Sequence, residues 1–133
     1  RAAVVEPSQI HAVACDIYAP CALGGALNVV TAPELACAAV CGAANNQLDT
    51  PDIEEALQAR GIVYVPDYVA NAGGVINIAY ERNGQYDGEA AVAHVGRIYD
   101  TVKSLFDDAS RSGDRLSVIA DRMAEERIRS GRP

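Results

Sequence analysis

Clustered basic charge is what this sequence lacks most. Eleven Lys and Arg face 18 Asp and Glu, a formal charge of −7. Nucleic-acid binding needs clustered cations against phosphate, so this balance argues against a nucleic-acid partner. The only basic cluster is Arg122, Arg127, Arg129 and Arg132. It is interleaved with Asp121, Glu125 and Glu126, which reads as a solvated helix face. No apolar run reaches the roughly 18 residues of a membrane-spanning helix, so no membrane partner is expected. Initiator Met and signal-peptide pattern are also missing; the chain opens Arg1-Ala2-Ala3-Val4-Val5. A start inside an apolar, β-prone run reads as a truncated chain. Paired Cys-x-x-Cys spacing is lacking among Cys15, Cys21, Cys37 and Cys41. The two histidines, His11 and His94, stand at no ligand spacing from them. Reduced, mostly buried thiols in a cytoplasmic protein are expected, with no metal.

What is present suits one packed domain. The chain has 133 residues and is 50% apolar. Short Val- and Ile-rich runs at residues 2–5, 12–18 (AVACDIY), 38–41 and 62–65 (IVYV) read as strands buried on both faces of a parallel sheet. Helical patterns lie between and after them. In 51–60, Thr50 suits the N-cap, Pro51 the first turn and Gly61 the C-terminal stop. Ile53, Ala56 and Leu57 form its apolar stripe. A helix over 73–82 is broken by Asn83-Gly84. Over 89–110, Val92, Val95, Ile98, Tyr99, Val102, Leu105 and Phe106 keep helical spacing, and Ser112-Gly113-Asp114 ends the run. A last helix over 117–129 places Ile119, Met123, Ala124 and Ile128 near one side. Alternation of this kind predicts an α/β fold with a parallel sheet and flanking helices.

In such sheets ligands bind beyond the carboxyl ends of the strands. Three segments lie there. In CDIYAPCALGGALN, Gly24-Gly25 permits close backbone approach to a ligand, or makes a tight turn. In GAANNQL, amide side chains can meet a carboxamide or carboxylate, or cap the next helix. In PDYVANAGGVIN, Asn71 can cap a helix whose N-terminus suits an anionic or carbonyl ligand. Val75 and Ile78 share one face of that helix and can wall an apolar pocket or pack a core. The three segments lie in the order a dinucleotide site needs, and this amounts to half of a nucleotide-binding α/β domain.

The stretches DIYAPCALGGALN, GAANNQL, ARGIVYVPDYVANAGGVIN and ADRMAEERI, in this order and spacing, resemble the leucine/phenylalanine/valine branch of the glutamate dehydrogenase superfamily. The likeness runs from Ala2 to Arg129 and is nearest the leucine dehydrogenase type, with Asn77 leaning the same way. It implies a partial Rossmann-like parallel sheet with C-terminal helices. Residues 1–88 would be the C-terminal part of the cofactor domain, and 89–133 helices returning toward a substrate domain. Apolar surface and self-association would follow there.

The resemblance implies NAD-dependent oxidative deamination of leucine, valine or phenylalanine to the 2-oxo acid, in a homo-oligomer. Pro20, Cys21 and Ala22 would lie along the adenosine side of the cofactor. Asn45 would sit beside substrate and nicotinamide, and Asn71 would hold the nicotinamide carboxamide. Val75 and Ile78 would wall the substrate side chain. The family's glycine-rich phosphate turn, its ribose-binding acid and its two catalytic lysines have no counterpart here. Lys103 is the sole lysine and falls in the long helix, so no catalytic residue is expected in this chain. Asp16 and Asp67 flank strand ends, with no partner visible in the sequence. The alternative is a non-catalytic nucleotide-binding or interaction module derived from such an enzyme.

Overall fold

Ile17–Tyr18 (β1), Ala39–Val40 (β2) and Val63–Tyr64 (β3) run parallel, in the order β1-β2-β3. They belong to a computed structural model that describes residues 2–82 and 86–131. In register, Tyr18, Val40 and Tyr64 share one face, while Ile17, Ala39 and Val63 share the other. The first face is covered: Val40 is fully buried and Tyr64 is 6% exposed. On the second, Ile17 is 59% exposed and Val63 36%. The expectation of burial on both faces is therefore corrected, since in the described residues the helical cover lies on one side only.

The strands are shorter than their β-prone runs. Residues 2–5 form no strand, and Val4 is fully exposed. In 12–18 only Ile17 and Tyr18 form strand, although Cys15 and Asp16 also bond the backbone of Ala36 and Ala38, and a 3₁₀ turn, Ile10–Ala12, ends where the run begins. A strand exists only where a neighbour takes up its backbone groups, and propensity does not supply the neighbour.

Two compact units make up the chain, Arg1–Tyr64 and Val65–Pro133. The first is built around Leu27, Leu35, Val40, Ile53, Leu57 and Ile62. Helix α1, Asp52–Ala59, buries Ile53, Glu54 and Leu57. Ala56, expected on that stripe, is exposed. Pro51 takes the N-cap position without a side-chain cap, so Thr50 is not the cap. Its side chain instead bonds Asp52 and holds that carboxyl below its usual pKa. Gly61 follows α1 at φ +73, as its expected C-terminal place requires.

Arg60 fastens this unit. Its guanidinium donates to the carbonyls of Ala32 and of Leu35, the latter at 2.7 Å. Arg60→Ala should remove about 1–2 kcal/mol. A urea midpoint unchanged from wild type would show that water replaces both bonds at no cost.

The second unit is helical. It comprises α2 (Asp67–Ala70), α3 (Gly73–Glu81), α4 (Gly88–Ser112) and α5 (Leu116–Ser130). The Asp87 carboxylate caps α4 by accepting the Ala90 N–H at 3.0 Å. Gly113 closes α4 in the left-handed region at φ 77, as the Ser-Gly-Asp signal predicts. Helix α3 packs on α4, with Gly73 against Val95 and the Tyr80 ring edge-on to His94. The periodic residues of α4 do not all turn inward. Leu105 is buried, but Val92 and Tyr99 are over 70% exposed and Phe106 is 42% exposed. On α5, Ile119 is buried while Ile128 is 81% exposed. The Asn83-Gly84 break and Arg132 lie outside the described residues. Exposed pairs link Arg122 to Asp114 and Arg129 to Glu125, in keeping with a solvated basic face.

Candidate functional site

In the first unit, the ends of β1 and β2 are drawn into direct backbone contact. The Pro20 carbonyl accepts the Ala44 N–H at 3.0 Å, and the Tyr18 carbonyl accepts the Cys41 N–H at 3.0 Å. A Cβ on Gly42 would fall 2.2 Å from the Pro20 oxygen, so the two loops touch through a position only glycine fills. Pro20 is buried in this contact, while Cys21, Ala22 and Asn45 are exposed beside it. The structure thus brings together Pro20, Cys21, Ala22 and the loop carrying Asn45.

A second seam holds the loop from the other side. Gly25 donates to Asn46 at 2.8 Å and Leu27 to Gln47 at 2.9 Å. Gly24 lies so close that a Cβ would be 2.9 Å from the carbonyls of Asn45 and Asn46. The close approach foreseen for Gly24-Gly25 is therefore made to the chain's own backbone. Asn46 takes φ 52, a conformation asparagine tolerates better than most residues. Gln47 is fully buried, and its Nε2 donates to the carbonyls of Gly42 (2.8 Å) and Ala44 (2.9 Å).

Three supports had no reading in the sequence. Asn28 accepts the N–H groups of Val30 and Thr31 and donates to the Gly25 carbonyl at 3.0 Å. The Thr31 hydroxyl donates to the Ala26 carbonyl at 2.6 Å. The Asn-x-x-Thr spacing was the available signal for this turn. The third is His11, buried and bonded through Nε2 to Glu34 at 2.6 Å. That pair spans 23 positions and has no local signature.

In the second unit, Asn71 is half-buried at the C-terminal end of α2, its N–H bonded to the Asp67 carbonyl at 2.8 Å. It does not cap α3, whose N-cap is Ala72. Asp67 is buried and engaged, unlike the unpartnered acid the sequence suggested. Val75 and Ile78 lie on an exposed face of α3, at 73% and 55% exposure. They pack no core among the described residues, which leaves them available to wall a ligand. Lys103 is exposed and paired with Asp107 at 2.7 Å, and this hydrogen bond raises its pKa. A base needs a depressed lysine pKa, so Lys103 is no candidate.

All four cysteines are free. Cys15 and Cys21 are exposed, which corrects the expectation of mostly buried thiols, and Cys37 and Cys41 are half-buried. Burial pushes up the pKa of Cys37, Cys41 and Tyr18. A raised folded-state value means that the folded chain holds a proton the unfolded chain has released. The stabilisation is complete below the ordinary thiol value of 9.0 and is lost as pH rises through the folded values. Unfolding midpoints should therefore fall above about pH 9. The Cys37→Ser/Cys41→Ser variant should show a flatter alkaline limb. An identical limb would leave Tyr18 as the cause.

Parallel strands, helical cover and exposed polar loops at the strand ends define this chain as an α/β protein of the kind that binds ligands at strand termini. The chain belongs to the Glutamate/Leucine/Phenylalanine/Valine dehydrogenase family, whose model matches residues 1–125. It is 50% identical over 129 residues to a leucine dehydrogenase from Bacillus cereus, covering 97% of this chain and 35% of that protein. It is 52% identical over 118 residues to a valine dehydrogenase from Streptomyces coelicolor, covering 89% of this chain and 32% of that protein. The crystal structure of L-tryptophan dehydrogenase from Nostoc punctiforme superposes with a TM-score of 0.92 at 47% identity, over 97% of this chain and 39% of that one. The chain thus spans about a third of the length of the curated relatives it matches.

Proposed function

We propose that this stretch forms the cofactor-binding side of an amino-acid dehydrogenase that deaminates an apolar L-amino acid to its 2-oxo acid with NAD. The observation that carries the reading is the Pro20–Gly42 backbone contact. It gathers two strand ends into one platform, with Cys21, Ala22 and Asn45 exposed on it. The donor set suits a dinucleotide. Cys21 and Ala22 offer small exposed side chains for an adenosine, on a backbone that the buried Pro20 anchors. The Asn71 amide both donates and accepts, as a nicotinamide carboxamide requires. A nicotinamide held there would supply the acceptor for hydride from the substrate α-carbon. The chain's own part is orientation by Asn45 and Asn71, and side-chain selection by Val75 and Ile78. Two aliphatic walls favour leucine, valine or phenylalanine over a charged side chain. The relatives carry the names of leucine and valine dehydrogenases, which supports the same choice.

Residues 1–88 would serve as part of the cofactor domain and 89–133 as helices of the same domain, in a cytoplasmic homo-oligomer. On this reading the proton chemistry is assigned to no group of this stretch, whose sole lysine, Lys103, is exposed and paired with Asp107. The 133-residue chain should therefore oxidise leucine no faster than background, and measurable turnover would sink that part of the reading. It should still show a weak, saturable response in an NADH fluorescence titration. Asn71→Ala should weaken that response by about tenfold. If NADH gives no response, the platform binds no cofactor and the stretch is an interaction module.

A further inference from the structure

A cavity of about 330 Å³ opens in the second unit, lined by α2, α3, α4 and α5. Its size is at the low end of the range for small-molecule pockets. Ile76, Ile98 and Met123 make much of its wall apolar, and Arg97 and Arg127 supply its charge. No acid lines it. Among the described residues, neither the Arg97 nor the Arg127 guanidinium makes an ion pair. Arg111, Arg122 and Arg129 pair with Asp108, Asp114 and Glu125. In a chain of charge −7, two uncommitted arginines on one cavity run against the composition. His94 is fixed by the ring of Tyr80, whose hydroxyl lies 3.4 Å from Nδ1.

We infer that this cavity binds a small monocarboxylate with an apolar tail and no ammonium group. The guanidinium is the side chain best matched to a carboxylate, and the apolar wall beside it can take the tail. An amino acid would bring its ammonium group into a rim of cations with no acid to receive it. The inference does not rest on the dehydrogenase reading, because Asn45, Asn71, Val75 and Ile78 line no part of this cavity. Branched 2-oxo acids and short fatty acids share the required chemistry.

The test is a methyl NMR titration of the chain with 4-methyl-2-oxopentanoate and, separately, 4-methylpentanoate. Leucine and 4-methylpentanamide serve as comparators. The acids should shift the methyl signals of Ile76, Ile98 and Met123, and the tighter acid identifies the source. Leucine and the amide should bind at least about tenfold more weakly. Arg97→Gln/Arg127→Gln, at two exposed positions, should lose at least about tenfold in affinity for the acids with the melting curve kept. No shift at about 10 mM acid overturns the inference. So do shifts confined to Val75 and Ile78, or an amide that binds as well as the acid. The amide comparison decides the matter even if the double variant fails to fold.

Discussion

Gly42→Ala should unfold at least about 10 °C below the parent chain, a loss of about 3 kcal/mol or more. The added Cβ would meet the Pro20 oxygen at 2.2 Å, the Pro20 nitrogen at 2.6 Å and the Pro20 Cδ at 2.7 Å. These are backbone and ring atoms, with no flexible tip to swing aside. Relief requires the ends of β1 and β2 to part, at the expense of the Pro20–Ala44 and Tyr18–Cys41 hydrogen bonds. The same movement would disperse Cys21, Ala22 and Asn45, so NADH binding should fall with stability. Gly96→Ala is the matched control. A Cβ there meets nothing within 4 Å, and the position lies inside α4. Helix propensity alone should make that variant more stable, by about 0.5–1 kcal/mol. A Gly42→Ala chain that melts with the parent would show that the strand ends are not locked through this contact.

The difference between those two glycines also marks how far the sequence could be read. Helices were legible because their signals are local. The periodicity of α4 and the glycine stops at Gly61 and Gly113 placed their elements within a residue or two. Strands were overread because a strand is completed by its neighbour. Val4 and Val13 are as β-prone as Val40, yet only Val40 has strands on both sides. The exposed Val92, Tyr99 and Phe106 of α4 show that periodicity marks a face without saying what covers it. The strand-end segments of the site stood out by composition, as glycines and amides where an apolar run stops. Their fastening did not. Nothing local says that Gly42 rests on Pro20, that Gly24 faces Asn45, or that Arg60 reaches Ala32 across 28 positions. In GAANNQL all three amides read as ligand groups or helix caps, and only Asn45 has an implied ligand. The residue that holds the loop is the glutamine.

That glutamine makes the second large effect predictable. Gln47 is fully buried, and its Nε2 donates to two carbonyls of the strand-end loop. Gln47→Glu keeps the shape and removes the donor. At neutral pH the new carboxylate would set an anionic oxygen against the carbonyls of Gly42 and Ala44 and leave water in doing so. The loss should be about 3 kcal/mol or more. Desolvation and the missing donors would raise the folded-state pKa of this Glu above the ordinary value of about 4.3. A raised value fixes the sign. The neutral acid, whose hydroxyl can serve one of the two carbonyls, is tolerated below the unfolded pKa, and that tolerance is lost as pH rises through the folded one. The stability gap between Gln47→Glu and wild type should therefore narrow between about pH 7 and pH 5, measured as paired urea midpoints. Gln47→Leu removes both bonds without adding a titrating group, so its gap should stay constant over the same interval. If Gln47→Glu behaves like Gln47→Leu at both pH values, the carboxylate has escaped to water. The loop would then be free to open at Gly42–Ala44, and the platform formed by Pro20, Cys21, Ala22 and Asn45 would owe its shape to the Gly42 contact and the backbone seam from Gly24 to Leu27.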